Sequence, residues 1–338
     1  MRILLVRLGA LGDIVHALPV AAALREAFPS ARLDWLVDER HRAVLELVPV
    51  IDRRIPVRPS VGGFLSAARS LRDQAYDVAL DLQGLWKSGA LARASGAARV
   101  VGFSRPHLRE PGARLFYTET CGQVGGPHVI QKNLSLLRAL GVEPDLAATT
   151  FPLTVPDSTV PAEMARRLQL RPGDRLALVN PCAAWPNKRW PPERYGRVAA
   201  ALARRHQIRS AIIWGPGEQA RADAVVAASE GSAAIVPATT LGDLLALARE
   251  ACLMVSGDTG PLHLAAAVGT PIVALCGPTD AARNGPWAHG DIAVSRYASC
   301  ACRYERRCRR ASSCLDDIDE DEVLRAVDER LSRRTAHA

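Results

Sequence analysis

The chain has 338 residues, nearly half of them apolar, and its 43 lysines and arginines against 35 acidic residues give a net charge of +8. That length suits two domains of ordinary size, each with its own buried core. The basic balance favours anionic partners. It does not favour nucleic acid, because aromatic residues are few and are not interleaved with the basic ones. We therefore expect a globular protein with no nucleic-acid partner.

No stretch reaches the roughly 18 apolar residues that a membrane-spanning helix needs. The apolar stretch that begins at Ile3 is similar to a signal peptide, but Arg7, Asp13 and His16 interrupt it, which argues against that interpretation. The sequence therefore predicts a cytoplasmic protein.

The first half of the chain alternates short apolar strands with helical stretches. Strand candidates cover residues 2–7, 33–37, 78–81 and 99–103, and a helix that extends to about Phe28 follows the first of them. This alternation is typical of a parallel sheet with helical crossovers. Asp13 follows the first strand, where its carboxylate either faces a ligand or satisfies the dipole of the helix start.

A proline-punctuated stretch, residues 151–161 and 171–174, predicts a linker before the pattern restarts. Further strand candidates cover 176–179, 210–214, 233–236, 253–255 and 272–275, and an amphipathic helix is predicted over 316–331. The pattern predicts two doubly wound α/β domains, residues 1–165 and 166–315. A C-terminal helical segment, residues 316–338, follows. It either crosses back to the first domain or stays with the second.

The most informative motif is SGDTGPLHLAAAVGTP at residues 256–271, which follows a buried strand. The turn Asp258-Thr259-Gly260 brings bare backbone close to a ligand, and Pro261 suits the start of a helix. Unpaired N–H groups and the positive end of the helix dipole would stabilise a diphosphate at this turn. An ordinary capped strand-to-helix turn is the alternative.

A second motif, WGPGEQA at residues 214–220, has the G-x-G-x-x-A spacing of a dinucleotide-binding turn. The turn does not open a domain, and no acidic residue ends a following strand about 20 residues later, as that fingerprint requires. A nicotinamide-dependent dehydrogenase is therefore the weakest alternative.

Four of the eight cysteines, Cys300, Cys302, Cys308 and Cys314, lie within 15 residues and are surrounded by arginines. Thiols in basic surroundings are expected to have lowered pKa values and to bind metal well. The spacing is not that of a standard zinc site. Three states of the cluster therefore remain as alternatives: a structural zinc or iron ion, reduced thiols, and disulfides. The basic surroundings equally suit an anionic membrane face.

Four segments, in chain order, resemble the ADP-heptose:lipopolysaccharide heptosyltransferases, and heptosyltransferase I most of all. They are LGALGD at 8–13, DLQGLWKS at 81–88, REP at 109–111 leading to LFY at 115–117, and DTGPLHLAAA at 258–267 with GPTD at 277–280. The resemblance covers nearly the whole chain. It implies the GT-B fold, in which two Rossmann-like, doubly wound domains face each other across a cleft.

The resemblance also implies roles for individual residues. Asp13 would be the general base, and Lys188 would lie near the donor diphosphate, with Arg189 as the alternative partner. The other implied donor-binding residues are Gly215, Glu218, Asp258, Thr259, Gly260, Pro261 and His263. The implied acceptor-binding residues are Gly12, Lys87, Arg105, Arg109 and Arg114.

The chain departs from the pattern of heptosyltransferase I just before Lys188. Two threonines of that pattern are Ala183 and Ala184 here. Asn180 or backbone groups are therefore candidates for the missing phosphate contacts.

The implied reaction is an inverting transfer of L-glycero-D-manno-heptose from ADP-heptose to Kdo of the lipopolysaccharide inner core. It needs no cofactor, and its acceptor would be Kdo-lipid A or a related anionic glycolipid at the cytoplasmic face of the inner membrane. Alternatives are heptosyltransferase II and an O-heptosyltransferase of autotransporter proteins, which the cysteine cluster favours. A nucleotide-binding scaffold that has lost catalysis is a further alternative, against which the joint presence of Asp13, Lys188 and Asp258 argues.

Overall fold

The computed structural model describes residues 1–123, 125–147 and 149–335, with side chains described up to residue 333. The chain divides into two compact units, Met1–Thr154 and Val155–Ala338. This division precedes the predicted boundary between residues 165 and 166. The reason is packing, because the helix Val160–Arg167 lies against the helix Leu241–Glu250, and Ser158 donates a hydrogen bond to Asp243 at 2.7 Å.

The first unit contains a six-stranded parallel sheet with helices as crossovers. Its strands are β1 Arg2–Val6, β2 Arg32–Asp38, β3 Arg53–Val57, β4 Val78–Asp81, β5 Arg99–Phe103 and β6 Glu119–Cys121. Its α-helices are α1 Leu11–Val15, α2 Leu18–Ala27, α3 Arg42–Glu46, α4 Val61–Arg72, α5 Trp86–Ala94 and α6 Val129–Leu134. Short 3-10 helices cover Glu39–His41, Arg105–His107, Pro111–Phe116 and Ser135–Leu140.

The second unit repeats this arrangement. Its strands are β7 Arg175–Asn180, β8 Ile208–Ile212, β9 Ala233–Ile235, β10 Leu253–Gly257, β11 Ile272–Cys276 and β12 Ile292–Ser295. Its α-helices are α7 Val160–Arg167, α8 Pro192–His206, α9 Gln219–Ala227, α10 Leu241–Glu250, α11 Gly260–Ala267, α12 Ala281–Asn284 and α13 Glu320–Thr335. Its 3-10 helices are Pro186–Lys188 and Cys314–Asp317.

Both sheets have the Rossmann strand order. The first is β3-β2-β1-β4-β5-β6, and the second is β12-β11-β10-β7-β8-β9. In each unit the strand order reverses beside the first strand, and ligands of such sheets bind at the carboxyl ends of the strands around that point. The prediction of two Rossmann-like, doubly wound domains is confirmed. The site residues follow from it, because Asp13 comes after β1 and Asp258 comes after β10.

Three strands were not predicted from the sequence, and all three lie at sheet edges: β3, β6 and β12. Edge strands are short or interrupted by polar residues and proline, and β3 begins with Arg53 and Arg54 and contains an exposed proline, Pro56. The single helix predicted up to Phe28 is two helices, α1 and α2, because Pro19 lies in the first turn of α2 and starts a new helix there.

The apolar side predicted for the final helix is part of the second unit's core. Its members are all buried: Ile318, Val323, Leu324, Val327 and Leu331. Helix α13 packs against α8, β11 and β12, so the described part of segment 316–338 belongs to the second unit. Among the described residues, no helix combines the length and the apolar character needed to cross a bilayer.

Candidate active site

The carboxylate of Asp258, directly after β10, is the centre of a buried polar cluster. Its Oδ2 accepts hydrogen bonds from Lys188 Nζ and from Thr279 Oγ1, each at 2.6 Å, and its Oδ1 lies 2.9 Å from Nε2 of His263. Asp258, His263 and Thr279 are buried, and the side chain of Lys188 is 15% exposed. The fold thus brings three predicted site residues together and adds Thr279, for which the sequence indicated no role.

Charge balance in this cluster keeps Asp258 ionised. Burial alone would raise the pKa of Asp258, but the hydrogen bond with His263 and the positive charge of Lys188 outweigh it and hold that pKa far below its usual range. The ammonium group of Lys188 also lies 4.7 Å from the centre of the Trp185 ring. Lys188 is therefore held in one place beside the turn that begins α11, where a cation suits a phosphate oxygen.

The turn itself is shaped by Asn180. Its Nδ2 donates to Ser256 Oγ at 3.1 Å and to Thr259 Oγ1 at 3.0 Å. No described side chain caps the start of α11, so the first N–H groups of that helix have no side-chain acceptor. Gly257 is required here, since an added Cβ would lie 2.8 Å from the carbonyl oxygen of Lys188. Asn180 thus supports the turn that was predicted to bind an anion, through Ser256 and Thr259.

Gly215 and Glu218 form a compact turn between the internal strand β8 and helix α9. The N–H of Glu218 donates to the Gly215 carbonyl at 3.0 Å, and an added Cβ at Gly215 would lie 3.0 Å from Oε2 of Glu218. The guanidinium group of Arg189 lies 3.9 Å from Glu218 Oε1. Of the two candidate diphosphate partners, Lys188 is therefore the one that contacts Asp258, and Arg189 is directed toward Glu218.

The four clustered cysteines lie in and beside the loop between β12 and α13 as two pairs. The Sγ atoms of Cys300 and Cys314 are 3.6 Å apart, and those of Cys302 and Cys308 are 3.8 Å apart. Burial and the neighbouring Cys300 raise the pKa of Cys314 to about 12, so the expectation of a lowered pKa is wrong for this thiol. In the part of the chain that the structure describes, no three His, Cys, Asp or Glu side chains are grouped to hold a metal ion. Zinc or iron at this cluster stays a prediction.

The loop that carries these cysteines forms hydrogen bonds with residues next to the Asp258 cluster. Asn187 Nδ2 donates to the Glu305 carbonyl at 2.9 Å, and the N–H of Tyr304 donates to the Pro278 carbonyl at 2.8 Å. Asn187 and Pro278 each directly precede a hydrogen-bond partner of Asp258. The conformation of the cysteine loop therefore helps to set the position of those partners.

In the first unit, Asp13 lies in the first turn of α1, beyond the carboxyl end of β1. Its Oδ1 pairs with Arg7 Nη2 at 2.8 Å, and its Oδ2 accepts a hydrogen bond from the Ala10 N–H at 3.0 Å. The Asp13 side chain is 37% exposed and that of Arg7 only 8%, and Arg7 also donates to the Leu82 carbonyl. The carboxylate is fixed in orientation and still accessible, as a general base must be.

Two further polar residues near Asp13 were not predicted, Gln83 and His41. Gln83 Oε1 accepts a hydrogen bond at 2.8 Å from the main chain of the loop after β1. The His41 ring packs against Gly9, where an added Cβ would lie 2.6 Å from the ring, and burial lowers the pKa of His41. Gln83 lies in the motif DLQGLWKS, which could have indicated it as a site residue. No local sequence motif indicates His41.

The predicted acceptor-binding residues lie on elements that pack against one another. Lys87 is in the first turn of α5, and the arginines are in and around the 3-10 helices Arg105–His107 and Pro111–Phe116. Helix α5 contacts the second of these, which contacts the first. All four basic side chains are exposed, namely Lys87, Arg105, Arg109 and Arg114, and Gly12 is partly exposed next to Asp13. Their contact with an acceptor stays a prediction.

The turn after β4 is held by a buried carboxylate, Asp81. It accepts hydrogen bonds from the N–H groups of Gln83 and Gly84 at 2.9 and 3.2 Å, from Ser88 Oγ at 2.9 Å and from Tyr117 Oη at 2.7 Å. Burial raises the pKa of Asp81, although these hydrogen bonds oppose the effect, and burial also raises the pKa of Tyr117. The start of α5 therefore depends on a buried network.

Tyr117→Phe is expected to lower the free energy of unfolding by about 1–3 kcal/mol, because buried Asp81 would lose one of its four donors. Urea denaturation at neutral pH measures the change. Tyr297→Phe is the matched control, since its hydroxyl forms no hydrogen bond with any residue that the structure describes. Equal stability of Y117F and the native chain would show that this hydrogen bond does not contribute.

The two Rossmann-like units have the GT-B fold of solved heptosyltransferase structures, and the sequence makes the chain a glycosyltransferase. The chain belongs to glycosyltransferase family 9 (heptosyltransferase), whose sequence profile matches residues 64–313. The predicted family and the predicted enzyme class are confirmed. The family gives no support to a dehydrogenase or to a scaffold without catalysis.

Known proteins with similar sequences are heptosyltransferases. The chain is 28% identical to lipopolysaccharide heptosyltransferase 1 of Pseudomonas aeruginosa, with 91% of this chain and 87% of the relative covered. It is 26% identical to lipopolysaccharide heptosyltransferase 3 of Escherichia coli, with 95% of each covered. A solved glycosyltransferase family 9 structure from Veillonella parvula superposes with a TM-score of 0.81, at 26% identity and 98% and 97% coverage.

Proposed function

We propose that this enzyme transfers L-glycero-D-manno-heptose from ADP-heptose to Kdo of the lipopolysaccharide inner core, with inversion at the anomeric carbon. The observation that carries the proposal is Lys188 paired with buried Asp258 beside the uncapped start of α11, which suits the diphosphate of a nucleotide sugar. Membership of the heptosyltransferase family supports heptose as the sugar. Similarity to lipopolysaccharide heptosyltransferase 1 over most of both chains supports a lipopolysaccharide acceptor, and the motifs that resemble heptosyltransferase I are the ground for choosing Kdo.

In the proposed reaction Asp13 accepts the proton of an acceptor hydroxyl as that oxygen attacks the anomeric carbon. The bond between the anomeric carbon and the diphosphate oxygen breaks on the opposite face, and ADP leaves with an added negative charge. The Lys188 ammonium and the open N–H groups of α11 would stabilise that charge as it develops. Arg7 would keep the Asp13 carboxylate oriented, because it pairs with Oδ1 and is itself buried. No cofactor takes part.

The proposed acceptor is Kdo-lipid A or a related anionic glycolipid. Exposed basic residues on the first unit, Lys87, Arg105, Arg109 and Arg114, would contact its carboxylates and phosphates. An acceptor of this kind is anchored in a bilayer, so we place the enzyme in the cytoplasm, in peripheral contact with the inner membrane.

The test is ADP release from ADP-heptose with three acceptors supplied separately: deacylated Kdo-lipid A, the same acceptor already carrying one heptose, and an unmodified autotransporter fragment. We expect release with the first acceptor only, with ADP-glucose as the donor control. Release that requires the heptosylated acceptor would identify transfer of the second heptose, and release that requires the protein would identify an O-heptosyltransferase. No release with any acceptor would overturn the proposal.

A further inference from the structure

Exposed apolar side chains are concentrated on one part of the first unit. Among the described residues, the large hydrophobic side chains that are exposed are Met1, Val61, Leu65, Trp86, Leu115 and Tyr304. Four of the six belong to neighbouring elements, with two on α4, one on α5 and one on the 3-10 helix Pro111–Phe116. Helix α4 packs beside α5, and α5 packs against the 3-10 helix. We call these four residues, Val61, Leu65, Trp86 and Leu115, the apolar surface.

The apolar surface is held in place by local packing. Val61 and Leu65 are one helical turn apart and share a face of α4. The Trp86 ring packs edge-on against Phe116, with 5.3 Å between ring centres, and it covers Gly112, where an added Cβ would lie 2.4 Å from the ring. Val61 and Leu115 are each 78% exposed, so no residue that the structure describes covers them.

All these elements follow the carboxyl ends of parallel strands, since α4 follows β3, α5 follows β4 and the 3-10 helix follows β5. Asp13 follows the carboxyl end of β1 in the same sheet. The apolar surface therefore lies toward the same edge of the first unit as the proposed general base.

Positive charge accompanies the apolar surface. Lys87 adjoins Trp86 in the chain, and Arg114 adjoins Leu115. Within the described residues, Lys87, Arg105 and Arg109 form no ion pair. The Glu110 carboxylate also lies here, accepting a hydrogen bond from the Trp86 N–H at 2.7 Å, but the basic residues outnumber it. Apolar side chains beside an excess of lysine and arginine suit a bilayer interface, where the former enter the acyl boundary and the latter meet anionic headgroups. A second copy of this chain fits less well, because a two-fold contact would place basic residues against basic residues.

We propose that the apolar surface and its adjoining basic residues dock this enzyme on an anionic phospholipid bilayer. The proposal rests on the proposed function, in which the acceptor is a membrane-anchored glycolipid. Docking through this surface would turn the edge that carries Asp13 toward the headgroups. The acceptor sugar could then reach the base without leaving the bilayer.

The test is co-sedimentation of the full chain with vesicles of phosphatidylethanolamine and phosphatidylglycerol, in the absence of donor and acceptor. The variant is Val61→Ser/Leu65→Ser/Leu115→Ser, and Trp86 is kept because it packs against Phe116. We expect the native chain to bind these vesicles and not to bind pure phosphatidylcholine, and the variant's partition coefficient to fall roughly tenfold or more.

A second variant, Arg306→Ser/Arg307→Ser, is the matched control. These arginines are exposed in the cysteine loop of the second unit and form no ion pair within the described residues. We expect this variant to bind vesicles as the native chain does. Loss of binding in the control alone would move the docking site to the cysteine loop and overturn the proposal.

Further readouts separate docking from folding and from catalysis. The triple variant is expected to keep the native circular dichroism spectrum and native ADP release with the deacylated, water-soluble acceptor. Unchanged vesicle binding by the triple variant would overturn the proposal, as would a native dimer that this variant converts to a monomer. Because the vesicles contain no sugar substrate, failure of the proposed reaction would leave the binding result intact.

Discussion

Asp13→Asn is expected to lower kcat of heptose transfer by roughly 10²- to 10⁴-fold and to leave KM for the donor nearly unchanged. Asparagine has almost the same shape and can still accept the hydrogen bond from the Ala10 N–H. Its amide oxygen cannot take up the proton of the attacking hydroxyl. The loss therefore falls on the chemical step.

The matched control is Asp38→Asn. Asp38 also lies at the carboxyl end of a strand of this sheet, β2, and its carboxylate also pairs with an arginine, Arg40, at 2.7 Å. The proposed reaction gives Asp38 no role, so its variant should keep kcat within a few-fold of the native value. Initial rates of ADP release measure both variants, and thermal unfolding checks that each is folded. A kcat for D13N within tenfold of the native value would place the base elsewhere.

The central part of the fold could be predicted from the sequence because buried parallel strands are continuous apolar runs. Strands β1 and β4 of the first unit and β7, β10 and β11 of the second are of this kind, and in β2 only Asp34 interrupts the run; all six were predicted. Edge strands β3, β6 and β12 are incompletely buried and carry polar residues or proline, so each has at most three consecutive apolar residues.

The candidate site was predicted as far as its residues lie in local motifs. Asp258 stands in a strand-turn-helix motif, and the resemblance indicated Lys188, so both could be named in advance. The direct contact between Lys188 and Asp258 could not be predicted, because it joins two loops that are 70 residues apart in the sequence. Thr279 lies in the motif GPTD, but the sequence indicated no role for it. Only the fold brings its hydroxyl into hydrogen-bond contact with the Asp258 carboxylate.

Long-range contacts also explain where the two compact units divide and why the pKa of Cys314 is raised. The linker looked like the end of the first domain because prolines punctuate it, yet the hydrogen bond between Ser158 and Asp243 fixes it to the second unit. The arginines around the cysteine cluster predicted a lowered thiol pKa. Burial and a neighbouring thiol instead dominate at Cys314, and neither is visible in the spacing.

Asp258→Asn is expected to lower the free energy of unfolding at neutral pH by about 3–5 kcal/mol. The buried carboxylate balances the charge of Lys188 and accepts a hydrogen bond from Thr279, and it also contacts His263. Asparagine offers one oxygen and no charge, so the ammonium of Lys188 would be left without compensation in a nearly buried place. Urea denaturation of both proteins measures the difference.

The pH dependence of that difference tests whether the charge of Asp258, rather than its shape, stabilises the cluster. Because its pKa in the folded chain lies far below the usual range, the ionised carboxylate contributes its full stabilisation above the aspartate pKa of the unfolded chain, about 4. That contribution is lost as the pH falls below this value toward the folded pKa, whereas asparagine does not titrate. The stability gap between the native chain and D258N should therefore shrink progressively as the pH falls below about 4.

Asp280→Asn is the control for D258N. Its carboxylate accepts a hydrogen bond from the Ala282 N–H at 3.0 Å at the start of α12, and asparagine caps a helix about as well as aspartate, so the substitution should cost well under about 1 kcal/mol. If the loss of stability in D258N were no larger than in this control, or stayed constant down to pH 3, Asp258 would act through its shape. A gap that closes in acid would instead mean that the charge of Asp258 holds Lys188 beside the start of α11, where the proposed reaction requires a cation.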